Sequence, residues 1–321
     1  QLVAFPVARR AKVTAERRWK SDEPILTASN VFPKPFEDLP GNIDLSNVPL
    51  TEEEENRLAW LGLELQPLNR ELARLNNVSD LSRDGEIGAL VSYVYADSPA
   101  TAAGVTAGDV LLRLHVEGYP KPMEVIIEKN EYPWGTFPWD RLDEIPEQYF
   151  DQIPEPWGSV ENTFTRSLTD LGFGKPFTAE LVSGGKVIRK EFTVVQSPPH
   201  YDSAKRYKSE LLGLTGKNLT YEVRRYFQKT PDEPGVIVAK IEPGSKASVA
   251  GIKPFEILTH VNGVPVHSAD EFEARLTEAT KTPETSPTTG PTSAPSTDNG
   301  RTLRLSVKRM TTGRVVRIKI R

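Results

Sequence analysis

The sequence predicts a mainly β fold with helices (α+β), arranged as two small, partly open antiparallel barrels in tandem, the first carrying a long insertion. Three observations lead there. A motif occurs twice at long spacing, the apolar text between turn signals comes in short runs of strand length, and 321 residues suit about two domains. Leu61, Gly62, Leu63, Leu68, Glu71 and Arg74 reappear as Leu212, Gly213, Leu214, Leu219, Glu222 and Arg225, each 151 residues on (212 minus 61). Ser98, Ala100, Ala103, Gly104 and Leu111 reappear as Ser245, Ala247, Ala250, Gly251 and Leu258 at 147 (245 minus 98). Gly118 and Pro120 meet Gly263 and Pro265 at 145 (263 minus 118). Order is kept throughout, and a period this long means tandem domains, since solenoid repeats run to about 20 to 50 residues.

Taken in order, residues 1–55 read as an extended arm ending in a short helix. Arg9, Arg10, Lys12, Arg17, Arg18 and Lys20 make its start basic, and Pro24, Pro33, Pro35, Pro40 and Pro49 favour an extended course. Thr51 with Glu54 forms a capping box for the helix. The first domain is expected over 56–197: a strand over 61–65, a helix over 70–75 capped by Asn69, a strand over 88–95, a turn opened by Ser98-Pro99 and closed by Gly104, and a strand over 109–114. Residues 198–209 read as a linker.

The second domain, 210–321, repeats the plan: strand 212–216, a helix capped by Thr220, strand 236–241, a turn over 245–251 and strand 257–261. Ser268 and Glu271 form another capping box, after which Ala269, Phe272, Leu276 and Ala279 fall at helical spacing. Two closing strands, 303–308 and 314–320, are expected to join through a turn containing Gly313.

Two segments interrupt the pattern. Residues 117–161 are acidic and hold Trp134, Trp139 and Trp157, three of the five tryptophans in the chain. Such aromatic content argues against disorder, leaving a lid on its own domain or a surface that docks on another domain or partner. Residues 281–300, by contrast, are Thr, Pro, Ser and Gly with almost no apolar content, and read as a flexible loop.

Composition removes several function classes. The net charge of −4 gives no general reason to expect nucleic acid, whose binding rests on Lys and Arg neutralising phosphates. There is no run of about 18 apolar residues, so no membrane span is expected. Zero cysteines exclude disulfides and thiolate metal sites, and His115, His200, His260 and His267 lack metal-ligand spacing, so neither metal nor cofactor is expected. His200 with Asp202, in the linker, reads as a pair of exposed polar side chains and not as a catalytic pair. Gly184-Gly185 is a hairpin signal, not a phosphate loop. A start at Gln1 suggests a processed or excised chain, with any export signal already removed.

The repeated Leu-Gly-Leu is the candidate site. Such a bend before a strand exposes successive backbone N–H groups, glycine lets a ligand approach closely, and a row of donors forms a nest for an anion. A peptide C-terminus fits that nest and then adds as a strand beside the strand that follows. The carboxylate-binding candidates are therefore Leu61, Gly62 and Leu63, and Leu212, Gly213 and Leu214. Arg57 and Lys208, each four residues before its loop, are candidate assisting cations or plain solvated charges. Phe272 and Leu276, and in the first copy Phe164 and Leu168, are candidate groove walls. Three or four backbone hydrogen bonds at roughly 0.5 to 1.5 kcal/mol each, with one buried apolar side chain at about 1.5 to 3 kcal/mol, less the association cost, predict weak, transient binding.

The X-Leu-Gly-Leu loops, the turn E-P-G-S-x-A-x-x-A-G-I over 242–252 and the hairpin V-N-G-x-P-V over 261–266 resemble PDZ domains. More narrowly, residues 56–321 resemble the tandem PDZ pair that follows the protease domain of high-temperature-requirement (HtrA), or Deg-type, serine proteases of bacteria. The second copy is the closer match. It departs where Phe255-Glu256 replaces the usual Gly-Asp, which the first copy keeps as Gly108-Asp109. The resemblance implies binding of polypeptide C-termini or of extended, unfolded segments, a protease domain as partner, and a periplasmic, envelope or secreted location. No catalytic residue is expected in this chain: neither G-N-S-G-G nor G-x-S-x-G occurs, and Ser98 and Ser245 sit where a helical turn needs a cap. Three readings follow: a noncatalytic tandem peptide-binding module, the substrate-recruiting or regulatory region of an HtrA-like serine protease, or a structural scaffold whose first groove is blocked by the insertion.

Overall fold

The computed structural model describes residues 54, 56–127, 137, 139–281 and 301–320, together with the backbone of two paired strands near the N-terminus, β1 (Leu2–Phe5) and β2 (Ile25–Ala28). Thr51, Trp134 and residues 282–300 lie outside the described residues, and with them the first capping box and the loop expected there.

The first sheet contains β4 (Leu63–Pro67), β5 (Ala89–Val94), β6 (Val110–Val116), β8 (Pro176–Ser183) and β9 (Lys186–Thr193) in the order β4-β5-β6-β8-β9, with β7 (Met123–Glu124) beside β6. A separate short pair joins β3 (Ala59–Trp60) to β10 (Val195–Gln196). The second sheet runs β11 (Arg206–Ser209), β12 (Leu214–Asn218), β13 (Val236–Ile241), β14 (Ile257–Val261), β16 (Arg301–Arg309), β17 (Thr312–Ile320), with β15 (Val264–Pro265) beside β14. Both sheets are antiparallel and open. The two sheets share their irregularities: the register shifts at Glu64/Leu65 and Thr215/Gly216, and again at Leu111/Arg113 and Leu258/His260, which are repeat-equivalent positions.

Helices fill the connections. They are α1 (Arg70–Leu75), α2 (Ser79–Ser82), α3 (Pro99–Ala102), α4 (Thr163–Leu171), α5 (Tyr221–Tyr226), α6 (Lys246–Val249) and α7 (Ala269–Lys281). Asn69 caps α1 through its side chain, which accepts from Leu72 N–H. Ser98 and Ser245 accept from the N–H of Thr101 and Ser248 in the same way, which gives both serines their structural role. Asn162 opens α4 with a reciprocal box involving Thr165. On α4 the apolar residues Phe164 and Leu168, four apart, face the core.

Two expectations change. Residues 206–209, read as linker, form the edge strand β11 of the second sheet, and His200 is buried with its Nε2 2.9 Å from the Asn56 carbonyl oxygen. The closing hairpin turns at Met310-Thr311, with Met310 left-handed, and Gly313 lies inside β17.

The start of the insertion stays with its own sheet, β7 pairing beside β6, while the segment from Trp139 to Trp157 packs on the second sheet. Its two 3-10 turns, Trp139–Glu144 and Glu147–Gln152, bring Leu142, Phe150, Ile153 and Trp157 into one core with Val238, Ile241 and Phe255. Trp157 meets Phe255 edge-on at 5.4 Å and Tyr201 at 4.8 Å, while Trp139 reaches Phe255 at 6.2 Å. Polar contacts frame the seam: Asp143 accepts two hydrogen bonds from the Arg309 guanidinium, Lys240 pairs with Asp151 at 3.0 Å, and Gly244 N–H donates to Glu147. Asp143 is correspondingly held below the ordinary carboxylate range.

The departure Phe255-Glu256 acquires its reason here. Phe255 adopts the left-handed conformation (φ 63°) that Gly108 (φ 97°) holds in the first copy, and its ring is the platform for the insertion's tryptophans. Glu256 is fully buried. It keeps the turn-capping bond of Asp109, accepting from Lys253 N–H as Asp109 accepts from Thr106 N–H, and its charge is met by Arg309 and Arg314.

Candidate functional site

Both Leu-Gly-Leu bends are built alike from below. The carbonyls of Leu61 and Gly62 are pinned inward by the N–H groups of Ala100 and Tyr95, and those of Leu212 and Gly213 by Ala247 and Glu242. Glycine is required twice over: Gly62 has φ +77°, and a Cβ added there would lie 2.0 Å from Ser98 Cβ; Gly213 has φ +68°, with Ser245 Cβ at 2.3 Å. Carbonyls turned inward leave the N–H groups pointing out.

What meets those N–H groups differs between copies. In the second, Leu212 N–H donates to Ser209 Oγ at 3.3 Å and Gly213 N–H to the Ser209 carbonyl at 2.8 Å. β11 then pairs along the outer edge of β12, register Arg206↔Lys217 through Ser209↔Leu214. Its Tyr207 lies 6.1 Å ring to ring from Phe272 on α7, and Lys205 is tied to Asp270. The strand position between β12 and α7 is therefore filled by the chain itself. Leu212, Gly213 and Leu214 are not a free carboxylate nest, and the expectation for them is corrected. Phe272 and Leu276 are core side chains, 0% and 2% exposed. Lys208 is spent on Glu210 and Glu242, both at 3.0 Å.

In the first copy no described group accepts the N–H of Leu61 or of Gly62. Among the described residues, β4 is an edge strand whose outer side carries no partner strand. Beside it runs a cleft of about 440 Å³, lined by Leu61, Gly62, Leu63 and Glu64 on one wall and by Asn162, Phe164 and Thr165 of α4 on the other. That volume lies within the usual range of binding pockets, about 300 to 1,000 Å³. The short β3–β10 pair leads into the Leu-Gly-Leu loop and is tied to α4, Ala59 N–H donating to Thr169 Oγ1 at 2.8 Å. Phe164 lines the cleft; Leu168, 1% exposed, packs beneath in the core and is not among the cleft residues. Arg57 is exposed and outside the cleft.

The cleft's remaining surface comes from elsewhere in the chain. The end of the insertion, Pro156 to Val160, closes one side, and Tyr221, Glu222, Arg225 and Tyr226 of α5 bring the second copy into the wall. An aromatic ladder holds α5 there: Tyr221 stands 5.8 Å from Trp60 and 4.9 Å from Tyr95, and Tyr95 packs edge-on to Tyr93 at 5.0 Å. Arg225 lies over the Tyr93 ring at 4.1 Å, with its Nε 4.0 Å from Glu64, whose carboxylate accepts from the Tyr95 hydroxyl at 2.7 Å. Glu222 is 5% exposed and accepts from Tyr201 N–H at 2.5 Å; burial pushes its carboxyl up to about 7. Burial likewise raises the phenols of Tyr95 and Tyr221, which stay neutral donors. Sequence reasoning overlooked Arg225, Glu222 and the tyrosines of the ladder. Arg225 and Glu222 stood in the repeat as partners of Arg74 and Glu71, but nothing local to α5 signals that it borders the other copy's cleft.

No protein-family model matches the chain. Curated relatives are bacterial proteins named probable periplasmic serine endoprotease DegP-like. That of Pseudomonas fluorescens is 26% identical over 230 residues, 72% of this chain and 40% of its own length. Those of Pseudomonas putida and Chlamydia pneumoniae are 23% identical over 230 and 220 residues, 72% and 68% of this chain. The chain thus spans about 40% or less of the length of the relatives it matches. Among solved structures, the HtrA3 PDZ domain bound to a phage-derived ligand aligns at 24% identity and TM-score 0.24, covering 36% of this chain and 86% of that one. The HtrA-type protease AlgW with a decapeptide aligns at 16% and TM-score 0.26, covering 56% of this chain and 37% of that one. The chain is thus similar over about 70% of its length to bacterial proteins named as DegP-like serine endoproteases.

Proposed function

We propose that this chain captures extended or C-terminal segments of other polypeptides in the cleft between β4 and α4, by strand addition to β4. The single observation that carries the reading is that, among the described residues, no group accepts the N–H of Leu61 or Gly62, which line a cleft beside a strand edge without a partner. A terminal carboxylate satisfies those donors, the ligand backbone continues along β4, and an apolar last side chain reaches Leu63 and Phe164. The second copy serves as wall and support, its own groove being filled by β11.

Within a longer protein, the chain acts as the substrate-recruiting region of an HtrA-like serine protease of the bacterial periplasm. This second reading rests on the DegP-like relatives, of which the chain covers about 40%. In this reading hydrolysis is assigned to another part of that protein, and Ser98 and Ser245 serve as helix caps.

The test is a library of C-terminal peptides screened against the intact chain, with each hit remade as its C-terminal amide. Amidation is expected to weaken binding at least tenfold. Equal binding of acid and amide would contradict the carboxylate nest.

A further inference from the structure

Resting on that reading, we propose that Arg225 selects an acidic side chain in the captured peptide, so that the second copy reads the ligand held by the first. The argument starts from register. Glu64 and Tyr93 are direct partners across β4 and β5, so their side chains share one face of the sheet. A strand added to the outer edge of β4 places the side chain of its residue opposite Glu64 on that same face. Arg225 stands over this face, its guanidinium 4.1 Å from the Tyr93 ring and its Nε 4.0 Å from Glu64.

The guanidinium suits the task. It carries five N–H donors in a plane, and among the described residues its only charged contact is the one at 4.0 Å, too long for a hydrogen bond. Its side chain is 42% exposed, and Tyr93 already orients its plane, so little freedom is lost when a ligand binds. Glu64 faces Arg225 at 4.0 Å and is itself partly satisfied by the Tyr95 hydroxyl. A carboxylate arriving opposite Glu64 takes up the idle donors, and Glu64 opposes it. The terminal carboxylate is served separately, by Leu61 and Gly62.

An exposed ion pair of this kind corresponds to a preference of about fivefold. The experiment uses valine-terminated decapeptides carrying one Glu, or Gln in its place, at each of the three positions before the terminus. Binding to the intact chain is measured by fluorescence anisotropy for the wild type, Arg225→Gln, Arg225→Lys and Glu64→Gln. At one position Glu should bind about fivefold more tightly than Gln. Arg225→Gln should erase that ratio, Arg225→Lys should retain part of it, and Glu64→Gln should enlarge it. A Glu-to-Gln ratio unchanged by Arg225→Gln, or an equal loss for every peptide, would overturn the assignment while leaving the cleft as a peptide site. If no peptide binds the wild type, the peptide-site reading fails and Arg225 loses its role with it.

Discussion

Glu222→Gln should change how stability depends on pH, because Glu222 is a carboxyl that folding keeps protonated. Its ordinary value of 4.5 is pushed up to about 7 by burial at the junction of the two copies, against the opposing effect of the Tyr201 N–H. The folded chain therefore holds this proton in a range where the unfolded chain has released it. Below pH 4.5 the group costs nothing; between 4.5 and about 7 stability falls as pH rises; above 7 the loss is complete. The interval corresponds to roughly 3 kcal/mol at about 1.4 kcal/mol per pH unit. Glutamine keeps an oxygen for Tyr201 N–H and cannot ionise. Urea unfolding at pH 4.5, 6, 7 and 8 should then show the variant gaining on the wild type by roughly 3 kcal/mol across the series. Parallel pH profiles for the two proteins would refute the reasoning.

Trp157→Ala should cost about 3 to 5 kcal/mol, by emptying the aromatic seam that joins the insertion to Phe255. Trp157→Phe should cost far less, since the indole N–H has no hydrogen-bond partner among the described residues, and thermal melts distinguish the two. Gly62→Ala should abolish peptide binding, because a Cβ would strike Ser98 at a left-handed position; Gly213→Ala, equally strained, should lower the melting temperature and leave peptide affinity within twofold, as titration would show. Arg314→Met should destabilise by about 3 kcal/mol or more at pH 7, because it removes one of two cations from fully buried Glu256; chemical denaturation checks this.

The repeat and much of the local structure were legible because short-range chemistry decides them. The helix over 70–75 begins at Asn69, which supplies its capping oxygen, and Ser98 and Ser245 act on donors three residues away. The tertiary choices were not legible. Residues 206–209 carry a basic and aromatic text that suits a linker as well as a strand, and only the empty edge of β12 and the ring of Phe272 decide its place. Leu-Gly-Leu looks the same in both copies, yet Ser209 closes one bend while Leu58, its repeat equivalent, gives its carbonyl to Ser197 and leaves the other open. The insertion's destination did leave a trace. Phe255 breaks the Gly-Asp pattern at a position that prefers glycine, and that break marks the platform on which Trp139 and Trp157 dock.

The division of labour between the two bends can be read amide by amide. Nuclear magnetic resonance of the intact chain, titrated with a valine-terminated peptide, should move and protect the amides of Leu61, Gly62 and Leu63 and leave those of Leu212 and Gly213 unchanged and slow to exchange from the start. Shifts confined to residues 212–218, with 61–63 unmoved, would contradict it.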